Sequence, residues 1–496
     1  MKWPSPLVPL MLNAVLRPPV PEHPAVRLGS TRESLLAAVF AHEATQEALY
    51  NREWLPLQSS SSVPLSSSSS SSSSYSSTSS SSPPSPHPSA TSAACPPRPA
   101  LSSARQSRSL RVMQFNILAE GLSASPSDPP PPLSRSPAGP LKPRNNGGFD
   151  ALPSPLVEPI LAWAPRSLRL LAEIIRHDPT LLSLEECDHY ADFFGPALRL
   201  LGYESVFQAK HDSPCMDFGY YSDGVAIFWK TDSFKLRQDL SDMGVGDKRS
   251  KSLSQRDLTT DDKGGEGGGG GDDAAASAAP PFVKVTHAMV VLDFLPSVVG
   301  GGELPRDETS EEPPLIYLAT HLKAKSSQAN EVTRHSQVLA LLSKVQSMSS
   351  VLPSSRVLIC GDFNADPVTT KEVTAVAVPG VFDNYPNLRC PYPLEEAVTD
   401  YKSAGKSLPQ PQPPHKNLWS TWKRRGDEEV KHWIDYILYD SRSFKATAVL
   451  QAPRDEDMSD ERLPDRKYPS DHLAIAADLE LLDADVKDQP PPPPPL

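Results

Sequence analysis

The chain has 496 residues, 56 of them proline, and carries 48 basic against 60 acidic side chains for a net charge of −12. An acidic balance of this size excludes a nonspecific nucleic-acid coat, which needs a basic stripe to displace counterions. Five cysteines, Cys95, Cys187, Cys215, Cys360 and Cys390, are odd in number and form no C-x-x-C pair, which argues against a disulfide framework and a structural zinc site and fits a reducing compartment better.

Length alone suggests three domains, but the proline and serine content reduces the expectation to one catalytic domain with disordered decoration. The N-terminal "MKWPSPLVPLMLNAVLRPPVP" is apolar but broken by prolines, a poor secretory signal. The cytoplasm is therefore the expected compartment. The absence of an acid before Glu22 leaves a mitochondrial or plastid transit peptide as the alternative. No run of about 18 apolar residues occurs, so no membrane insertion is expected. Residues 30–53 predict one amphipathic helix: Ser30 and Glu33 have capping-box spacing, and Leu35, Leu36, Val39 and Phe40 recur on one face. The expectation is that it packs on the main domain. Residues 59–107 are Ser/Pro low complexity and cannot bury enough apolar surface to offset their ordering entropy. Residues 1–107 thus read as an N-terminal extension whose Ser/Pro-rich arm is available to protein partners; the protein itself is expected to be monomeric.

The catalytic domain is expected over 108–482, with disordered inserts near 124–146, 243–280 and 300–313 and a disordered proline tail over 483–496. "LRVMQFNILAE" predicts a strand ending at Asn116, "SLRLLAEIIRHDP" (167–179) a helix, and "TLLSLEECDHY" (180–190) a strand leading to Glu186. Further strands are predicted at 224–230, 284–295 and 315–325, the last ending at His321. A helix follows at 328–348. "RVLICGDFN", "HWIDYILY" (432–439) and "HLAIAADLEL" (472–481) are the remaining strands. Strands alternating with a few helices predict an α/β layered domain.

Polar residues recur at the strand ends: Asn116, Glu186, Asp223, His321, Asp362, Asn364, Asp435, Asp471 and His472. No G-x-S-x-G elbow, P-loop or G-x-G-x-x-G fingerprint accompanies them, and "SDH" at 470–472 cannot be a triad because alternate side chains of a strand face opposite ways. Carboxylates, amides and imidazoles suit a Mg²⁺-dependent phosphoester hydrolase: oxygen ligands for the cation, a carboxylate to draw a proton from water, amides and a histidine to steady the phosphate and its developing charge. For any single residue, a buried strand-end group satisfied by hydrogen bonds is the simpler reading; nine together favour a site. In "VLICGDFNADP", Asp362 and Asn364 stand two apart and are expected to point to the same side of an extended chain.

"VMQFNILAE", "LSLEECDHY", "LGYESVFQAKHDSPCMD", "SDGVAIF", "THLKAK", "GDFNADP", "STWKRR", "HWIDYILY" and "LPDRKYPSDHL" occur in that order. Together they resemble the endonuclease/exonuclease/phosphatase superfamily, and within it the branch of nocturnin-like and carbon-catabolite-repressor-type deadenylases. The resemblance implies a four-layered α/β sandwich of two packed mixed sheets. It implies Glu186 as the Mg²⁺ ligand with Asn116 close by, and Glu185 where a glutamine is usual. Asp362 matches the residue that activates water, Asn364 an amide that holds the phosphate, and His472 the transition-state histidine, oriented by Asp435 and supported by Asp471. Lys210, Lys323, Lys325 and Arg425 match phosphate-contacting basic positions, with His321 beside them. Lys325 stands where an arginine is usual, and Thr286 or His287 where an asparagine is.

Three functions follow as expectations. A 2′-phosphatase converting NADP(H) to NAD(H) fits the basic quartet, since several cations neutralise a terminal phosphomonoester. A 3′→5′ poly(A) exoribonuclease would use the same centre on RNA and would need aromatic platforms for its bases, for which Trp419, Trp422 and Trp433 are candidates. A catalytically inactive binding module is the third.

Overall fold

The computed structural model describes residues 30–57, 108–123, 142, 149, 152, 154–241, 283–295, 312–370, 372–392 and 418–483. The Ser/Pro-rich arm, nearly all of the expected inserts and the proline tail lie outside the described residues.

In chain order the elements are α1 (Arg32–Glu43), β1 (Trp54–Pro56), β2 (Ser109–Asn116), α2 (Glu120–Ser123), α3 (Ser154–Leu161), α4 (Trp163–His177), β3 (Leu181–Glu185), α5 (Gly195–Leu200), β4 (Tyr203–Ala209), β5 (Gly224–Lys230), β6 (Phe234–Asp239) and β7 (Thr286–Phe294). They continue with β8 (Leu315–His321), α6 (Gln328–Val351), β9 (Arg356–Asp362), α7 (Ala377–Asn384), β10 (Leu388–Arg389), β11 (Thr421–Arg425), β12 (Glu428–His432), β13 (Asp435–Asp440), β14 (Phe444–Leu450) and β15 (Ile475–Leu481). One sheet has the order β1-β14-β15-β2-β3-β5-β4 and the other β10-β13-β9-β8-β7-β6, while β11 and β12 form a separate hairpin. Both sheets are mixed: β2 runs parallel to β3 and β8 parallel to β9, amid antiparallel neighbours.

The period-two alternation of side chains sorts each strand between two cores. Val112, Leu181, Val225 and Ile227 face the second sheet, whose β7, β8 and β9 have apolar central runs at Ala288–Leu292, Leu315–Ala319 and Val357–Cys360. Met113, Phe115, Leu182 and Phe228 face outward, under α1, α4 and α5. On the far side α6 and α7 cover the second sheet through Val338, Leu341, Val378 and Val381. The order of layers is helix, sheet, sheet, helix, as the sequence motifs imply.

The helix expected over 30–53 is shorter. Its N-cap is Thr31 rather than Ser30, with Thr31 Oγ1 accepting the Ser34 N–H at 3.2 Å and Ser34 Oγ the Thr31 N–H at 3.1 Å. It ends at Glu43 because Leu49 and Tyr50, the next buried apolar residues, dock on non-helical backbone that leads into β1, an edge strand paired with β14. Leu35 and Val39 are fully buried against the domain, about 1.5–3 kcal/mol of apolar burial each. Arg52 secures the following segment by donating to Glu173 and to the Ala474 carbonyl.

Two strand expectations shift. In 432–439, His432 closes the β11–β12 hairpin and the core strand starts only at Asp435; in 472–481, regular pairing starts at Ile475. In the first the polar residue Asp435 opens the paired run, and in the second His472 precedes it. β4, β6, β11, β12 and β14 carry no continuous apolar signal: five of the six residues of β6 are exposed, as an edge strand permits.

Candidate functional site

Strand pairing brings the polar strand ends to one edge of the sandwich. Asn116 lies in register with Glu185 across the parallel β2–β3 pair, His321 with Asp362 across β8–β9, and Asp435, the first residue of β13, with Asp362. Gly361 makes the β8–β9 approach possible: at φ +150°, a Cβ there would sit 2.0 Å from the Thr320 carbonyl oxygen.

Asp362 is the centre. Asn116 Nδ2 donates to its Oδ2 at 2.9 Å; His321 Nε2 and His472 Nε2 lie 3.6 and 3.9 Å from the same oxygen. His472 Nδ1 donates to Asp435 at 2.8 Å. Gln114 Nε2 donates at 2.8 Å both to the other oxygen of Asp435 and to Glu185. All of these side chains are buried, so charge is governed by neighbours rather than solvent. Burial, then Asp435, raises the Asp362 carboxyl to about 7, against relief from His472 and Asn116. Burial opposes charging His472, but Asp435, Asp362 and Asp471 outweigh it and hold the imidazole up at about 9. His321 goes the other way, lowered by burial and by Lys210, His472 and Lys423. Burial raises Glu185 well above the usual carboxylate range. Near neutral pH the centre thus combines a carboxylate able to exchange a proton, a neutral imidazole and an imidazolium.

Cations form one wall. Lys423 and Arg425, two apart on β11 and hence on one face, both donate to Asp471 Oδ2, at 2.7 and 2.9 Å. These two cations and His472 overcome burial to hold Asp471 well below the usual carboxylate range. Lys423 Nζ also lies 3.3 Å from His472 Nε2. Arg425 stacks over the Phe149 ring at 4.3 Å. Lys210 donates to the buried Asp223 at 3.2 Å; burial opposes its charge, but Asp223 and Glu186 raise its pKa. Glu186 is half-buried, and its Oε2 accepts the Ala119 N–H at 3.2 Å.

Two expectations change. Asn364 does not extend the strand beside Asp362. It adopts φ +50°, its backbone N–H donates to Asp362 Oδ1 at 2.8 Å, and its side-chain amide donates to the Leu322 carbonyl at 3.3 Å. β9 ends at Asp362, and the aspartate turns the chain on its own carboxylate. The side chains of Lys323 and Lys325 are exposed; the backbone around them is held by Gln337 and Arg334. They lie two and four residues past His321 rather than within the buried cluster.

Three residues escaped the sequence reading. Lys423 lies inside the quoted "STWKRR", and its i, i+2 relation to Arg425 was the available signal. Gln114 and Phe149 had none, since one joins carboxylates distant in sequence and the other follows an insert. Leu118, Glu186, Lys325 and Asn364, all just beyond the ends of site strands, have positive φ, a conformation unfavourable for side-chain-bearing residues and typical of functional loops.

The donor set suits a hard cation only in part. Asp362, Asp435 and His472 offer ligand atoms within 4.8 Å of one another, yet His472 Nδ1 is already engaged by Asp435, and an imidazolium repels a cation. The half-buried Glu186 carboxylate offers oxygens of the type a hard divalent cation takes.

Over residues 113–472 the sequence matches the family described as Endonuclease/Exonuclease/phosphatase family. It is 30% identical to nocturnin of Xenopus laevis over 381 residues, covering 76% of this chain and 74% of that protein. It is 24% identical over 343 residues to the CCR4-Not complex 3′-5′-exoribonuclease subunit Ccr4 of Yarrowia lipolytica, covering 64% and 44%. The chain spans just under two thirds of the mouse and human nocturnins, 65% and 64%. Among solved structures, the human nocturnin catalytic domain with bound sulfate anion aligns at TM-score 0.44 and 25% identity, over 76% of this chain and 94% of that one.

Proposed function

The chain belongs to the endonuclease/exonuclease/phosphatase family and is a phosphoester hydrolase; within that class, we propose that it removes the 2′-phosphate of NADP(H), with Mg²⁺ held at Glu186 beside Asn116. In this reading Asp362 takes the proton of the attacking water, which its raised pKa suits near neutrality. His472, kept charged by Asp435, faces the phosphate as negative charge develops. Lys210, Lys423 and Arg425 neutralise the phosphomonoester, with Lys323 and Lys325 at the rim. Asn364 acts by fixing the Asp362 turn rather than by holding the phosphate. When bound, Mg²⁺ supplies Lewis-acid charge to a phosphate oxygen.

The observation that carries the choice of substrate is the contrast between cations and aromatics. Trp419, Trp422 and Trp433, the candidates for stacking RNA bases, are only 1%, 8% and 5% exposed and belong to the core. The cations instead gather on the acid–histidine centre, as one highly charged terminal phosphate requires. A poly(A) exoribonuclease is the second reading, supported by the exoribonuclease relative. Purified protein with Mg²⁺ is to be offered NADPH and, separately, a poly(A) oligonucleotide, following released phosphate and oligomer length. Phosphate without RNA shortening is the expected result. Shortening without phosphate overturns it, and silence on both points to another phosphoester substrate or to an inactive binding module.

A further inference from the structure

Arg169 of α4 is buried, its side chain 6% exposed, yet none of its guanidinium nitrogens has a hydrogen-bond partner among the described residues. The nearest carboxylate oxygen, Glu43 Oε1 of α1, is 4.0 Å from Nε, beyond hydrogen-bond range. One helical turn earlier, Arg166 is spent on the Ile117 and Leu118 carbonyls and on Ser123. A guanidinium carries five donors, and burying it unpaired is costly. Arg169 lines a cavity of about 150 Å³ between the end of α1, α4 and residues 465–469.

We propose that this cavity is a binding site for a small tetrahedral oxyanion, of the inorganic phosphate class, gripped by the Arg169 fork. Arg466 also lines it, and neither of the two lining acids, Glu47 and Asp465, accepts a hydrogen bond from Arg169. Asp465 already accepts from Tyr50, Ser459 and the Lys467 N–H, while Glu47 lies 3.8 Å from Arg466, where both are half-exposed. Glu43, Glu47 and Asp465 act on Arg169 through charge without accepting a hydrogen bond from it, so its donors stay open, and a planar fork matches two oxygens of an oxyanion. The site is separate from the catalytic cations, none of which lines it, and it backs onto the segment that leads through Pro469 to Asp471 and His472.

The test uses the full chain carrying Arg425→Ala, which weakens anion binding at the catalytic edge. Inorganic phosphate is titrated by calorimetry with and without Arg169→Met. The Met variant is expected to lose phosphate affinity by about 10-fold or more, the worth of a charge-assisted hydrogen bond. Arg169→Lys, which keeps the charge and loses the fork, is expected to fall between and stands in should the Met variant not fold. Crystals soaked in selenate should show an anomalous peak within hydrogen-bond distance of the guanidinium. Unchanged phosphate affinity in the Met and Lys variants, or a peak seen only at crystal concentration with no millimolar response in solution, overturns the proposal.

Discussion

Asp435→Asn tests the acid–histidine relay. In the native site His472 Nδ1 donates to Asp435 Oδ2, and Gln114 donates to Oδ1, each at 2.8 Å. Asparagine keeps the volume, and its amide oxygen can still accept from Gln114, but it then turns an NH₂ toward Nδ1. A donor facing Nδ1 requires the neutral imidazole with its proton on Nε2. His472 stands at about 9 against an ordinary 6.5, a difference of about 3 kcal/mol in favour of the imidazolium. Asp435 is the largest favourable contribution. With it gone, burial and Lys423 are opposed only by Asp362 and Asp471, and the pKa falls. Asp362 must be deprotonated and His472 protonated, so native kcat/KM should rise with pH through about 7 and fall through about 9. In the variant the alkaline limb moves to lower pH, and turnover at pH 8 drops about 10-fold for each unit by which the imidazole pKa falls below 8. The stability signature has the same origin. A raised histidine pKa stabilises fully below 6.5 and is lost as pH rises through about 9, so native melting temperatures should fall across that window and the variant's should not. A pH–rate profile, with melting curves at each pH, reads both effects. An alkaline limb that stays near 9 in a folded variant refutes the relay.

Glu186→Gln keeps the acceptor for the Ala119 N–H and removes the charge expected to hold Mg²⁺. Activity should fall by about 100-fold or more and recover partly at high Mg²⁺, with an unchanged melting curve; near-native activity at low Mg²⁺ would count against the ligand assignment. Lys325→Arg restores the usual fork at an exposed position of φ +76°, so phosphatase activity should hold or rise, and its loss in a folded variant would exclude Lys325 from the phosphate pocket. Gly361→Ala drives a methyl to 2.0 Å from the Thr320 carbonyl. Separating β8 from β9 should cost about 3–5 kcal/mol, seen as a lower denaturation midpoint; a midpoint within about 0.5 kcal/mol of native would mean that the sheet relaxes there.

The central strands were legible because they are buried on both faces and read as continuous apolar runs: β8 and β9 begin and end within a few residues of their sequence boundaries. The β11–β12 hairpin was not, because its charged residues answer to Asp471 and Glu429 rather than to a core. The ordered motifs fall at or near strand ends, and pairing aligns several of those ends, among them Asn116, His321, Asp362 and Asp435. Conformation was less accessible. Asn364 looks like the next residue of an extended chain, and only the Asp362 carboxylate capturing its N–H shows that the chain has turned. Gln114 illustrates the same limit: one amide joins Glu185 to Asp435 across about 250 residues of sequence, and no local pattern encodes such a bond.

The net charge of −12 raises the question of how so acidic a chain presents an anion site. Its carboxylates there are handled in two ways. Glu185 and Asp362 are raised by burial toward the protonated form, which lowers the negative field at the centre. Asp471 and Asp223 remain available to anchor Lys423, Arg425 and Lys210 from beneath. An ammonium has three N–H donors and a guanidinium five, so one carboxylate does not exhaust either. The anchoring instead fixes where each cation stands before substrate arrives, and donors oriented in advance need little reorganisation as charge develops on the phosphate. Acidic residues in the walls thus favour, rather than oppose, a site for a compact anion, while the acidic remainder of the chain disfavours an extended one.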